Sequence, residues 1–176
     1  DTVKLQANTV SGTLTRGGDD ADEIVVEGYA DTDGSAINVG VTSSTVAGNS
    51  GADNIRVGDL TTSSVSAAKN IVNSLIAGGQ KNDLITVGAR FDITGSSIAG
   101  GSGADAIRIS SARDIISTSI RGGGTNAASA DGADVINLQS TDSVTATTLQ
   151  GNGGTDTIAV ASALLPGSEV KGGSGV

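Results

Sequence analysis

Residues 78–109 run GGQKNDLITVGARFDITGSSIAGGSGADAIRI. One phrase occurs twice in them, 22 residues apart: a glycine turn, then Asp, then aliphatic residues two and four positions later. Working outward, the phrase returns as GGDDADEIVV from Gly17, GNSGADNIRV from Gly48 and GNGGTDTIAV from Gly151. It also returns as ADGADVINL ending at Leu138, behind a glycine cluster starting at Gly122, and in part as GGSGV from Gly172. The first glycines stand 31, 30, 22, 22, 29 and 21 residues apart. The base period is therefore 22, with insertions after Val26 and Val57 and inside the fifth turn.

The register extends beyond the glycines. Seven positions before each first glycine stands an aliphatic residue: Val10, Val41, Ile71, Ile93, Ile115, Val144 and Leu165. Four before it stands a small hydroxyl: Thr13, Ser44, Ser74, Ser96, Thr118, Thr147 and Ser168. Period-two alternation on both sides of a glycine turn reads as strand, turn, strand. A 22-residue unit cannot bury its apolar face alone, but stacked on copies of itself it can. The expected fold is all-β, a parallel β-solenoid (β-roll or β-helix) of seven coils with two or three strands each. An Ile column of Ile24, Ile55, Ile85, Ile107, Ile136 and Ile158 fills one interior corner, and the small hydroxyls fill the tight corner before the turn.

As a domain, residues 1–176 read as one solenoid segment, with a partial coil at 1–16 and coils starting near 17, 48, 78, 100, 122, 151 and 172. Writing the start after the end gives GGSGVDTVKL, a complete phrase in phase. The expectation is therefore a segment of a longer solenoid, which stacks end to end on its continuation or on further copies.

Composition narrows the chemistry. The chain has 27 Gly, one Phe and one Tyr, no Cys, His, Met or Trp, and a net charge of −9. Without His or Cys it has no imidazole base, no thiolate and no zinc or haem site of the usual kind. A bound metal would be a hard cation held by oxygen, which points to calcium. Ten basic against nineteen acidic residues, with two aromatics, exclude a nucleic-acid surface. No apolar run approaches the roughly 20 residues of a membrane span, and residues 1–16 do not read as a signal peptide.

The Asp of each turn is the chemically pointed position. Stacking files these carboxylates about 4.8 Å apart, where each pair repels by about 1 kcal/mol even in water. Calcium would offset that repulsion. Alternatively, each Asp accepts hydrogen bonds from free N–H groups of its own turn and needs no metal.

The turns resemble the hemolysin-type calcium-binding repeats of bacterial RTX proteins, G-G-x-G-x-D-x-U-x with U a large aliphatic. The likeness covers about ten residues in each 22. It implies a parallel β-roll, secretion, and calcium held between successive turns by Asp22, Asp53, Asp83, Asp105, Asp134 and Asp156. Asp1 would join them if a preceding unit supplies its turn. The chain departs from that pattern in carrying one glycine turn per coil, and in having Asp20 and Lys81 at the fourth position of the motif. Lys81 would place an ammonium where a cation would otherwise sit. The chain is also similar to long single-turn solenoids of bacterial surface-layer and giant surface proteins and of their phages.

No enzyme is expected. The candidate acids outside the turns are Asp31, Asp33, Asp59, Asp92, Asp114, Asp142 and Glu27, and Asp92 and Asp114 stack as an outward pair beside Arg90 and Arg113. Tyr29 and Phe91 are too few for a sugar track, and no Ser-His-Asp triad exists without His. Residues flanking the Ile column follow no Thr pattern, which argues against ice binding. The remaining reading is a structural segment of an extracellular filament, surface layer or adhesin stalk, at a cell or virion surface. Its rival is a calcium-dependent adhesion module that contacts a surface glycan or cell-surface partner through residues 27–40, 58–70 and 124–131.

Overall fold

The computed structural model describes residues 1–7, 9–27, 40–58, 70–123 and 131–173, with the backbone of the short strands at 29–30 and 36–37. Its regular elements are all strands. All pairings among the described residues are parallel except that of Tyr29–Ala30 with Ala36–Ile37. This is a β-solenoid-like fold.

Each coil contributes strands to three faces. The first face follows the Asp: Thr2–Gln6, Glu23–Glu27, Asn54–Val57, Leu84–Ala89, Ala106–Ser111 and the starts of Val135–Thr145 and Thr157–Leu164. The second is short: Thr9–Ser11, Gly40–Thr42, Ile71–Val72, Ile93–Thr94, Ile115–Ile116 and the far ends of the two long strands. The third leads into the glycines as a seven-stranded sheet: Leu14–Gly18, Thr45–Ser50, Leu75–Gln80, Ser97–Ser102, Ser119–Gly123, Thr148–Gln150 and Glu169–Lys171. The first two faces form one twelve-stranded sheet because Val135–Thr145 pairs with strands of both. Three strands per coil, and not two, are consistent with a parallel β-helix.

The columns form as the spacing predicts. Ile24, Ile55, Ile85, Ile107, Ile136 and Ile158 are successive partners on the first face. Val10, Val41, Ile71, Ile93, Ile115 and Val144 line up on the second, and Thr15, Val46, Ile76, Ile98, Ile120, Leu149 and Val170 on the third. Apart from Thr15, the partly buried Ile158 and the exposed Val170, they face one another as a single buried core. One partner differs: Val144 pairs with Leu164, not Leu165, because the register shifts between Gln139 and Ser143. Counting back from the glycine misses that shift, since the last coil is shorter between its first two faces.

The corner between second and third faces has its own code. Gly12, Ser43, Asn73, Gly95, Ser117, Ala146 and Gly167 all have positive φ, between 48° and 86°. That left-handed step turns the chain sharply at one residue, a step open to Gly and tolerated by Asn. The next residue is the small hydroxyl. Ser44, Ser74, Ser96, Thr118 and Thr147 are buried. The Ser74 hydroxyl donates to the Val72 carbonyl at 2.9 Å and accepts the Ser44 N–H at 3.3 Å. The Thr147 hydroxyl likewise donates to the Thr145 carbonyl and accepts the Thr118 N–H. Each hydroxyl thus completes the backbone of the coil before it, which a purely apolar side chain cannot do.

Two outcomes follow from this packing. Ile107→Ala should lower the urea midpoint by the equivalent of about 2–5 kcal/mol, whereas Leu75→Ala, at an exposed site, should stay within about 0.5 kcal/mol. Ser74→Ala strands a buried N–H and should cost about 1–3 kcal/mol, read from the same denaturation curves.

Candidate metal centre: the aspartate file

The turn Asp opens the first-face strand, so parallel stacking brings each one beside its counterpart in the next coil. Asp22, Asp53, Asp83, Asp105 and Asp134 are each at most 5% exposed, and Asp156 is half-buried. The file forms as the sequence predicts.

The carboxylates are not capped by their own turns. Oδ1 of each accepts the backbone N–H of the Asp one coil earlier. Asp22 N–H donates to Asp53 at 2.8 Å, Asp53 to Asp83 at 2.8 Å and Asp83 to Asp105 at 2.7 Å. Asp105 donates to Asp134 at 2.8 Å and Asp134 to Asp156 at 3.0 Å. At the head of the file the amino group of Asp1 takes the same place, 2.7 Å from Asp22 Oδ1. The self-capping alternative is thus replaced by a ladder between coils. Spacing places carboxylates side by side but is silent about which N–H each one faces.

The other oxygen, Oδ2, is buried without a hydrogen-bond partner in all six. It lies against the first glycine of its own turn. A Cβ built on Gly78 would stand 2.2 Å from Asp83 Oδ2 and 2.5 Å from the Gly100 carbonyl oxygen of the next coil. The same crowding recurs at Gly48, Gly100 and Gly151. The first glycine is therefore required by close approach, to make room for the carboxylate and the adjoining coil.

Asp131 was not singled out by its sequence. It precedes the fifth turn's Gly132, its Oδ2 accepts the Gly153 N–H at 3.0 Å, and its Oδ1 is buried without a partner. The insertion hides this in the sequence, because it moves Asp131 out of the repeat's numbering. Lys81 holds the left-handed step of its turn with φ 77° and is exposed. Among the described residues it makes no ion pair with the file, so its ammonium does not stand in for a cation.

Burial dominates the electrostatics. It pushes the carboxyls of Asp83 and Asp134 up to about 7 and that of Asp105 up to about 6, with neighbouring carboxylates adding to the shift. Asp53 and Asp131 are raised by the same cause. The accepted N–H of the preceding coil opposes the shift at Asp53, Asp83, Asp105 and Asp134 without cancelling it.

The donors suit calcium in kind: unpartnered, anionic, oxygen only. Among the described residues no three acidic side chains converge into a metal-holding group. A cation at the file would therefore take one or two carboxylate oxygens and complete its shell with glycine-turn carbonyls.

The other acids do not join the file. Asp92 and Asp114 belong to a separate ladder of opposite sense. Asp92 N–H donates to Asn70 Oδ1 at 3.1 Å, Asp114 N–H to Asp92 Oδ1 at 3.3 Å, and Ser143 N–H to Asp114 Oδ1 at 3.1 Å. Glu27 is held by Lys4 at 2.6 Å, Arg56 at 3.2 Å and Gln6 at 2.7 Å, which ties the first three coils together. Asp142 is exposed. Asp31, Asp33, Asp59 and most of the three inserted segments lie outside the described residues. No family model, no curated protein and no solved structure matches the chain.

The raised carboxyls have a pH consequence with a definite sign. A folded-state pKa above the unfolded value, about 3.9 for Asp, means that the folded chain holds more protons, so stability falls as pH rises. For the chain in chelator, this contribution is full below about pH 4 and is lost as pH climbs through the folded values of about 6 and 7. Thermal melts between those limits should therefore show Tm decreasing with pH, and Asp83→Asn should flatten the trend. Gly78→Ala should destabilise by about 1–3 kcal/mol through overpacking, and Gly78→Ala combined with Asp83→Ala should cost less than the sum of the two single variants in the same melts.

Proposed function

We propose that this chain is a non-catalytic structural segment: a stretch of seven-coil solenoid in an extracellular filament, surface layer or adhesin stalk of the RTX-like kind, stiffened by calcium at its aspartate file. The observation that carries the reading is the run of buried Oδ2 oxygens, one per coil, each with no partner. A protein whose task is to be a rod needs every coil locked to the next. Here the lock is built into the backbone, and a cation column would neutralise the charge that stacking concentrates.

In this reading Asp22, Asp53, Asp83, Asp105, Asp134 and Asp156 each offer Oδ2, while Oδ1 stays on the backbone ladder. The cation supplies countercharge and nothing else. Because it binds the stacked file and not the unfolded chain, it adds folding free energy by linkage, about 2.7 kcal/mol at a free concentration one hundred times its Kd. Calcium-rich surroundings outside a cell would then favour the rod, and a calcium-poor interior would leave the file repelling.

The test is a melt and a titration. Calcium at neutral pH should raise Tm above that in chelator, and magnesium should do so less because it requires tighter octahedral geometry. Asp83→Asn with Asp105→Asn should remove much of the increment. An unchanged Tm with no heat of binding would end the calcium part of the reading.

A further inference from the structure

The first face carries a groove on its outer side, away from the aspartate file. Residues 108–110, 137–139 and 159–161 line it, and it encloses about 390 Å³. The three segments are in-register neighbours on successive coils: Arg108 pairs with Asn137, and Asn137 with Ala159. Ile109 and Leu138 turn inward to the core, so Arg108, Asn137, Gln139, Ala159 and Ala161 stand on the outer side, where all five are exposed. With strands about 4.8 Å apart, the trough runs about 10 Å along the axis. A further coil laid on Thr157–Leu164 would pair edgewise beside it and would not cover it. Arg108 is the charge in this groove. In the same outward column Arg56 is paired with Glu27 at 3.2 Å, a residue diagonal to it on the coil before. The positions diagonal to Arg108 are Gly88 and Gln139, both neutral. Among the described residues no acid lines the groove, and the side-chain groups of Arg108, Asn137 and Gln139 have no hydrogen-bond or ion-pair partner. In a chain of net charge −9, the carboxylate that Arg56 receives from its neighbour is missing at Arg108.

We propose that this groove binds an acidic saccharide, a short stretch of polysaccharide that carries hexuronate carboxylates. The inference goes beyond the rod reading and uses neither the aspartate file, nor calcium, nor the inserted segments. The Arg108 guanidinium takes the missing carboxylate through two parallel N–H···O bonds, which fix orientation as well as charge. Asn137 and Gln139 each offer one carbonyl and one NH₂ group. That pairing suits neighbouring sugar hydroxyls, each of which both donates and accepts. The methyl groups of Ala159 and Ala161 lay an apolar floor for the C–H side of a ring. An apolar floor with a few convergent polar groups is the usual make-up of a small-ligand site, and the volume falls within their range of roughly 300–1,000 Å³. An open trough, unlike a closed cavity, accepts one stretch of a chain that continues past it on both sides.

The experiment titrates a glucuronate tetrasaccharide, a glucose tetrasaccharide and succinate into the whole chain, each in chelator so that no cation bridges acid to acid. Backbone amide chemical shifts should move with the uronate at residues 108–110, 137–139 and 159–161, and should move less with the other two at equal concentration. Arg108→Gln should weaken uronate binding about tenfold or more, through the loss of charge-assisted hydrogen bonds. It should leave Tm unchanged, because the side chain is exposed. Ala159→Glu, which sets an acid on the floor of the groove, should abolish binding by repulsion while circular dichroism keeps its β signal. An equal response to the glucose tetrasaccharide removes the role of charge, and an equal response to succinate removes the sugar; either overturns the proposal. Shifts that map elsewhere on the chain, or an Arg108→Gln affinity equal to that of the unaltered chain, overturn it as well.

Discussion

Each coil of this chain completes the hydrogen bonding of its neighbour, and the rest of the structure depends on that. A parallel sheet extends along the solenoid axis only if the turns as well as the strands stay in register. The turns would otherwise bury unpaired N–H groups at every coil, a cost that recurs with each repeat. Here a carboxylate meets that demand at one corner and a hydroxyl at the next: Asp53 Oδ1 takes the Asp22 N–H, and Ser74 Oγ takes the Ser44 N–H. A third set, Asn70, Asp92 and Asp114, does the same in the opposite sense.

Two properties follow from this arrangement. Stability is distributed, because each coil touches only its neighbours, so stiffness grows with the number of coils and not with the size of a central core. Charge is concentrated, because the side chain that satisfies the turn is an acid and stacking repeats it. Desolvation then works against the ionised form, most clearly at Asp83, Asp105 and Asp134. The device that locks the backbone is thus also the device that calls for a counterion or a proton. A neutral Asn at the same position would bring no net charge into the file, and the Asn70 step shows that an amide oxygen can serve a ladder position.

Much of this was legible in the residues. The Ile column and the buried hydroxyl corner were readable because parallel stacking places residues one period apart side by side. The aspartate file followed from the same argument. The left-handed corner was less visible: Gly12 and Gly95 hint at it, but Ser43, Asn73, Ser117 and Ala146 hold the same φ and disguise the pattern. Asp131 was missed because the insertion before it breaks the count, and Leu165 was misplaced by one because the register shift beside Gln139 leaves no mark in composition.

The amino-acid sequence by itself determined the period, the columns and the presence of one acid per coil, since these depend only on spacing along the chain. The folded coils decided what each acid does with its two oxygens. That depends on the direction of a carboxylate relative to the N–H of a residue 22 to 31 positions away, a vector that no spacing encodes. The number of faces was decided there too. The bend between the first two faces is a change of direction in space, and the alternation of apolar residues, as at Ile107, Ile109 and Ile115, continues through it unchanged.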